Sequence, residues 1–470
     1  MVSTESALVC GDTRLHRRAG WAVNEDRRRG QASVAVVAAQ TLGLKLALVV
    51  IATIATIVVS RILGPEGRGI YYIPVVAAAT IVAFGKLGLE QANVYLYGSQ
   101  SISADRLGAQ STLVTVVAGS GGIIAMFLLP SLLPAVFGDV PPVLLLLGAL
   151  AIPLSLHTQF ISGLQNLVGQ VTLQFRAAIA GGLVQLAALL VLAFTGLVTV
   201  AAVMALNLLG GLVTWLWTLR TSVVPPYSVR WDPGLIRQTV GHSLVLHAGL
   251  VLFFLHLRVD TFMVKAINGP GAVGIYSLSV VVAETVLLAT DSVSIALLPR
   301  QVGVAIRDSA QVALRAARIN AYLALAFGVA LVATGWIAIP LLFGVEFTAA
   351  YPPLVALAPG IVFISMQRVC GPPVLRAGTP WLLTGIYAVS LAANISLNLV
   401  WIPQFGAVGA SMASSISYGL AAALFLGWTS VLAGSTAALR PSRSDAALVL
   451  VAITLASRLA RRKPLAASER

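Results

Sequence analysis

Hydrophobic and polar positions in this chain segregate over long distances rather than alternating residue by residue. Apolar runs of about twenty residues follow one another, parted by short segments that hold Gly, Pro and Arg. Runs of that length predict membrane-spanning α-helices, whose backbone polar groups are satisfied internally. Their continuity excludes a strand barrel, which would alternate apolar and polar positions. Twelve helices are predicted, at 33–60, 69–97, 107–129, one ending near 164, 176–195, 198–219, 241–266, 274–298, 315–343, 353–370, 381–402 and 406–431. Pro130, Pro134, Asp139, Pro141 and Pro142 mark the loop between the third and fourth. The apolar run 446–456 is too short to span and predicts an interfacial helix.

The link between the first two helices returns later in the chain. Residues 64–71 read Gly-Pro-Glu-Gly-Arg-Gly-Ile-Tyr, and residues 269–276 read Gly-Pro-Gly-Ala-Val-Gly-Ile-Tyr. Gly64, Pro65, Gly69, Ile70 and Tyr71 match Gly269, Pro270, Gly274, Ile275 and Tyr276 at one constant offset. Phe137-Gly138 and Pro141-Pro142 are echoed by Phe343-Gly344 and Pro352-Pro353, and Gly196 by Gly406. A turn that recurs with its flanking helices is an internal repeat. Each half then has about six spans and enters the membrane from the same side. Two such halves are related by a pseudo-two-fold axis along the membrane normal, the parallel-repeat arrangement of alternating-access transporters. The expected fold class is therefore an all-α polytopic membrane protein of two six-helix lobes. The expected organisation is a basic tail (1–32), an N-lobe (33–220), a linker (221–240), a C-lobe (241–432) and a basic C-terminal segment (433–470).

Composition agrees: the chain has 470 residues, is 58% hydrophobic and 10% charged, and has a mean hydropathy of +0.93. A soluble chain would carry about a quarter charged residues. The net charge of +14 does not point to nucleic acid, because the basic residues lie between the apolar runs. Placing the N-terminus inside puts Arg14, Arg106, Arg176, Arg220, Arg300, Arg315, Arg368, Arg376 and Arg461 on the cytoplasmic side, and leaves Arg61, Arg68 and Lys265 outside. Both termini are expected on the cytoplasmic side of the membrane. Arg61 and Arg68 are expected in a solvated loop. The first thirty residues hold no apolar core and do not read as a signal peptide. Cys10 and Cys370 imply neither a disulfide framework nor a metal site.

Ionisable residues inside spans are costly and mark functional positions. Here they gather in the first two helices of each repeat: Lys45, then Lys86 and Glu90 four apart, then Arg258 and Asp260, then Glu284 and Asp291 seven apart. Lys45, Lys86 and Asp291 each sit about 24 Å from the outer boundary at 1.5 Å per residue. The repeat places Lys86 opposite Asp291, so these two could meet when the inner side closes. Lys86 with Glu90 is the alternative fixed pair. Arg258 and Asp260 are two apart and cannot both point into one cavity. His242, His247 and His256 are read as packed or hydrogen-bonded groups. No P-loop and no outer carboxylate cluster appears, so an enzyme is not indicated.

The segment 61–71, Arg-Ile-Leu-Gly-Pro-Glu-Gly-Arg-Gly-Ile-Tyr, resembles the first-loop motif of Wzx-like polysaccharide flippases of the multidrug/oligosaccharidyl-lipid/polysaccharide exporter superfamily. Arg258-Val-Asp260-Thr through Gly274-Ile-Tyr276-Ser, and 398–410 around Ile402-Pro403, are similar to the same family. The resemblance covers about residues 35–432. It implies two lobes rocking around a central cavity and a polyprenyl-pyrophosphate-linked oligosaccharide as cargo, moved between leaflets for surface polysaccharide synthesis. It implies Lys45, Lys86 and Arg258 as substrate-binding bases. Glu90, Asp260, Glu284 and Asp291 would be cavity or coupling carboxylates. It also implies Na⁺ or H⁺ coupling without a bound cofactor, with Asp260, Asn394 and Asn398 as a hard-cation site. The partners it implies are membrane lipid and a polysaccharide polymerase or glycosyltransferase. A cation-coupled multidrug or small-solute antiporter of the same superfamily stays open. So does a membrane glycosyltransferase or polymerase using Glu66, Asp139 or Glu346.

Overall fold

The computed structural model describes residues 13–98, 102–196, 198–222, 232–301 and 304–440, with most side chains described from Gln40 onward. The basic tail's side chains, His242, Arg300, Cys10 and the apolar run 446–456 lie outside what is described. Among the described residues every regular element is helical. They are α1 (Thr13–Gly85), α2 (Leu89–Gly98), α3 (Ala104–Leu132), α4 (Pro134–Phe137), α5 (Pro142–Leu167), α6 (Val171–Thr195) and α7 (Val200–Thr221). The second half holds α8 (Pro233–Glu284), α9 (Leu287–Gln301), α10 (Ile306–Phe343), α11 (Tyr351–Gln367), α12 (Gly371–Arg376) and α13 (Pro380–Ala433), with three short 3₁₀ turns.

Nine described stretches are long and apolar enough to cross a membrane. Three of them, in α1, α8 and α13, are each two helices joined across a kink at a glycine, which makes twelve long apolar helical segments among the described residues. Gly64 has φ 62°, ψ −176° and Gly269 has φ 81°, ψ −177°, nearly the same conformation at matching positions of the repeat. That region of backbone space is essentially closed to a side chain. Pro65 and Pro270 follow as first residues of the new helix, where a missing N–H costs nothing. Gly406 makes the third bend at φ 55°.

The second span of each half is broken. Between α1 and α2, Leu87 and Gly88 take φ 50° and 73°. Between α8 and α9, Thr285 and Val286 interrupt the ladder with i→i+3 bonds, Thr285 N–H to Val282 O and Val286 N–H to Ala283 O. The two breaks are not at equivalent positions. Charged residues adjoin both: Lys86 and Glu90 flank the first, and Glu284 precedes the second. Two limits differ from expectation. α8 begins at Pro233, inside the expected linker, because Asp232 caps it by accepting the Leu235 N–H at 3.0 Å. α10 begins at Ile306 and carries the expected basic loop around Arg307 into the helix.

One core runs through both halves on the side of the Gly64 and Gly269 bends. It joins Ile73, Phe137 and Met126 to Val264, Val273, Tyr276 and Phe347. A second core, around Leu383, Tyr387 and Phe425, lies within the C-terminal half.

Candidate functional site

The two bends meet face to face. A Cβ built on Gly69 would stand 1.8 Å from the Pro270 carbonyl oxygen, and one on Gly274 would stand 1.8 Å from that of Pro65. The repeat motif thus lets two backbones touch about the pseudo-two-fold. Arg68 is not in a solvated loop. It is 4% exposed, and it donates to Ser60 Oγ at 2.9 Å and to Ser277 Oγ of the other half at 3.3 Å. Arg61 stays exposed but also crosses, donating to the carbonyls of Leu341 and Leu342. Lys265 is buried and paired across the halves with Asp139. This face of the molecule is closed.

The opposite face is joined differently. There the start of α8 leaves its own half and lies on the other. Leu235 packs with Leu96, Leu107 and Leu164, Arg106 pairs with Asp232, and Gln110 donates to Thr239 Oγ1 at 3.0 Å. His247 Nε2 donates to the Phe84 carbonyl at 3.1 Å, next to the break in the second span. α2 packs on α8, while α9 packs on α10.

Between these faces lies a cavity of about 460 Å³. The post-bend part of α1, α5 and α7 form its walls, and Phe254 of α8 closes one side. Of the three bases expected to bind substrate, Lys86 lines it. Lys86 pairs with Glu90 at 3.2 Å, each side chain about a quarter exposed (26% and 27%). It does not pair with Asp291, which is held by Arg368 at 2.7 Å. The reason is local: the break after Lys86 still leaves Glu90 on the same face. Arg258 pairs with Glu284 at 2.9 Å rather than with Asp260. Lys45 has no described carboxylate within ion-pair distance; its Nζ lies 5.5 Å from the ring centre of Phe175. The three bases therefore do not converge on one point.

Asp260, Asn394 and Asn398 do come together, in the interior of the C-terminal half. All three are buried. Asp260 Oδ1 accepts the Thr261 N–H at 2.7 Å, while Oδ2 accepts from Tyr276 Oη at 2.6 Å and Ser414 Oγ at 2.8 Å. Asn394 donates to Ser414 at 3.4 Å and to Ser417 at 3.1 Å, and accepts from Asn398 at 2.8 Å. His256 is hydrogen-bonded to Ser417 at 2.9 Å. The buried Oδ1 of Asn398 has no partner. A cation here would find one carboxylate and amide and hydroxyl oxygens, the donor set of a hard ion. It would have to displace hydroxyl donors, Tyr276, Ser414 and the more distant Thr261, from Asp260. Among the described residues no three His, Cys, Asp or Glu side chains form a metal cluster. Of the outer carboxylates considered for catalysis, Asp139 is taken by Lys265, and Glu346 Oε2 lies against Gly64.

Sequence reasoning passed over Ser155, Gln159 and Asn207, all on the cavity wall. The signal was present: Ser155 and Gln159 are four apart, on one face of an apolar span. It passed over Arg368 as the partner of Asp291, since no spacing rule links residues so distant in the chain.

Solved structures share this fold. An inward-facing multidrug resistance MATE family transporter of the MOP superfamily aligns with a TM-score of 0.62 at 15% identity, over 85% of this chain and 98% of its own. The lipid II flippase MurJ in an inward closed conformation aligns with a TM-score of 0.58 at 11% identity, over 90% of this chain and 93% of its own. A MOP superfamily transporter from Pyrococcus furiosus, described as having a binding pocket of reverse polarity, aligns at 0.58 and 14% identity, over 86% and 95%. No curated protein matches the chain. The family model of polysaccharide biosynthesis proteins matches residues 38–300, more than half the sequence. The chain is a multi-pass membrane protein with the fold of the multidrug/oligosaccharidyl-lipid/polysaccharide exporter superfamily, and it belongs to the polysaccharide biosynthesis protein family.

Proposed function

We propose that this protein is a flippase. It moves a polyprenyl-pyrophosphate-linked oligosaccharide across the bacterial cytoplasmic membrane by alternating access, for surface polysaccharide synthesis. The observation that carries this reading is the cavity at Lys86 behind a closed outer face, in a chain of the polysaccharide biosynthesis family. On this reading the Gly64 and Gly269 bends face outward, and cargo reaches the cavity from the cytoplasm.

The bases have unequal parts. Lys45, without a carboxylate partner, meets the pyrophosphate first. Lys86 and Arg258 are released to it only if their carboxylates let go. Asp260, Asn394 and Asn398 hold the coupling Na⁺ or H⁺ in the C-lobe. The antiporter reading shares this coupling site, and the carboxylates Glu90 and Glu284 would then serve a cationic solute.

The test is reconstitution in vesicles of stated lipid. Transfer of polyprenyl-pyrophosphate-linked oligosaccharides to the far leaflet, lost in Lys45→Ala, supports the flippase. Gradient-driven movement of cationic dyes with no lipid-linked sugar transfer selects the antiporter and rejects the flippase.

A further inference from the structure

Three side chains on the cavity wall stand out. Ser155 and Gln159 of α5 and Asn207 of α7 line the cavity, are half-buried, and make no hydrogen bond to any described protein group. Serine and threonine inside a span ordinarily return their hydroxyl to a carbonyl one turn back. Thr158 and Thr214 do so here, to Leu154 O and Gly210 O. Trp215 Nε1 is likewise matched, donating to His157 Nδ1 at 3.0 Å, whereas the Gln165 amide of α5 is buried without a partner away from the cavity wall. Within the membrane an amide without a partner is costly, and irregular polarity is kept where it lines a cavity. Two unpaired amides and a free hydroxyl facing one space are groups waiting for a ligand.

The chemistry of that ligand can be read from the wall. Lys86, the charged side chain on this wall, is paired with Glu90. A pyrophosphate would call for unpaired cations, and a lipophilic cation for an unpaired carboxylate. Neither is on this wall. An amide offers both a donor and an acceptor, which suits a pair of neighbouring hydroxyls. Val75, Ala78 and Phe254 supply apolar and aromatic surface for C–H faces. The volume is that of a site for a small molecule.

We propose that the pocket walled by Ser155, Gln159 and Asn207 takes the uncharged sugar residues of the cargo through neutral hydrogen bonds. The phosphates stay at its Lys86 end, away from these three side chains. This rests on the reading of the cargo as a lipid-linked saccharide.

Binding is measured on the full chain in nanodiscs, with two probes: undecaprenyl pyrophosphate, and the same lipid carrying N-acetylglucosamine. The wild type is expected to hold the sugar-bearing lipid about tenfold tighter, the size of one or two good hydrogen bonds. Gln159→Leu and Asn207→Leu should abolish that preference and leave undecaprenyl pyrophosphate binding unchanged. Gln159→Glu and an unchanged melting temperature control for folding. Variants that keep the wild-type preference, or a wild type with none, overturn the sugar pocket while the flippase reading stands. Loss of both lipids in Asn207→Leu at an unchanged melting temperature also overturns it, because the phosphates would then lie against these side chains. A wild type that binds neither lipid but binds ethidium sinks the flippase reading itself.

Discussion

Gly69 and Gly274 lie against each other's bends, each with its α-carbon where the other half's proline carbonyl leaves no room for a side chain. The contact is reciprocal: Pro65 and Gly69 of one copy face Gly274 and Pro270 of the other. A motif repeated in sequence thereby becomes a self-complementary joint in space, as an isologous interface does between subunits.

Alanine at either glycine should push the halves apart on this face. An overlap with backbone cannot be relieved by a rotamer change, and overpacking of this kind costs about 1–3 kcal/mol. In a chain whose only cysteine is introduced at Val273, which is fully buried at the joint, Gly69→Ala or Gly274→Ala should speed reaction with an impermeant maleimide by about tenfold. Unchanged labelling would show that the joint does not hold this face shut.

Arg258 and Glu284 should behave as one unit. Removing either leaves a charge behind at depth, whereas removing both leaves none. Transport by Arg258→Ala and by Glu284→Ala should fall further than transport by the double variant, with a coupling of about 1–2 kcal/mol. Additive losses would mean the two act separately.

Asp260 accepts four hydrogen bonds, so Asp260→Asn presents an N–H₂ to donors and should cost about 1–3 kcal/mol of stability. If this carboxylate binds the coupling cation, Na⁺ should raise the melting temperature of the wild type, as any ligand of the native state does, and not that of Asp260→Asn. An equal Na⁺ response in both proteins would remove Asp260 from the cation site.

Asp232 gives a pH prediction. The Leu235 backbone N–H, and then Arg106, hold its carboxyl below the usual carboxylate range. A folded-state value below the unfolded one stabilises fully above the unfolded value, and is lost as the pH falls through the folded one. The melting temperature should therefore gain nothing from this group between pH 8 and pH 5. The deficit of Asp232→Asn at neutral pH should narrow below about pH 4. A deficit that persists unchanged at pH 3 would show that it does not come from the charged carboxylate.

Lys265 is nearly sealed, whereas its partner Asp139 is largely exposed (side chains 4% and 60%). Asp139→Ala should cost more than an ordinary surface pair and less than a fully buried one, about 2 kcal/mol. Lys265→Met should cost less, because it removes the buried charge together with its need for a partner. Thermal melts of the two variants in the reverse order would contradict this.

The apolar runs by themselves pointed to the class and to about twelve helices, and the recurring Gly-Pro turn pointed to the repeat. Hydrocarbon accepts little besides a continuous helix, and Gly64 and Gly269 announce their bends because few residues but glycine adopt that backbone. Asp232, a ready cap before Pro233, could have moved the start of α8 forward had the linker's prolines not masked it. The partners were another matter. Lys86 could have met Glu90 or Asp291 with equal warrant in the chain, and no spacing linked Arg258 to Glu284. Only the packed fold chose, because an ion pair depends on distances between helices, and helical periodicity says nothing about them. The same holds for Arg68. Its loop-like surroundings in sequence gave no hint that a second bend, two hundred residues away, would bury it against Ser277.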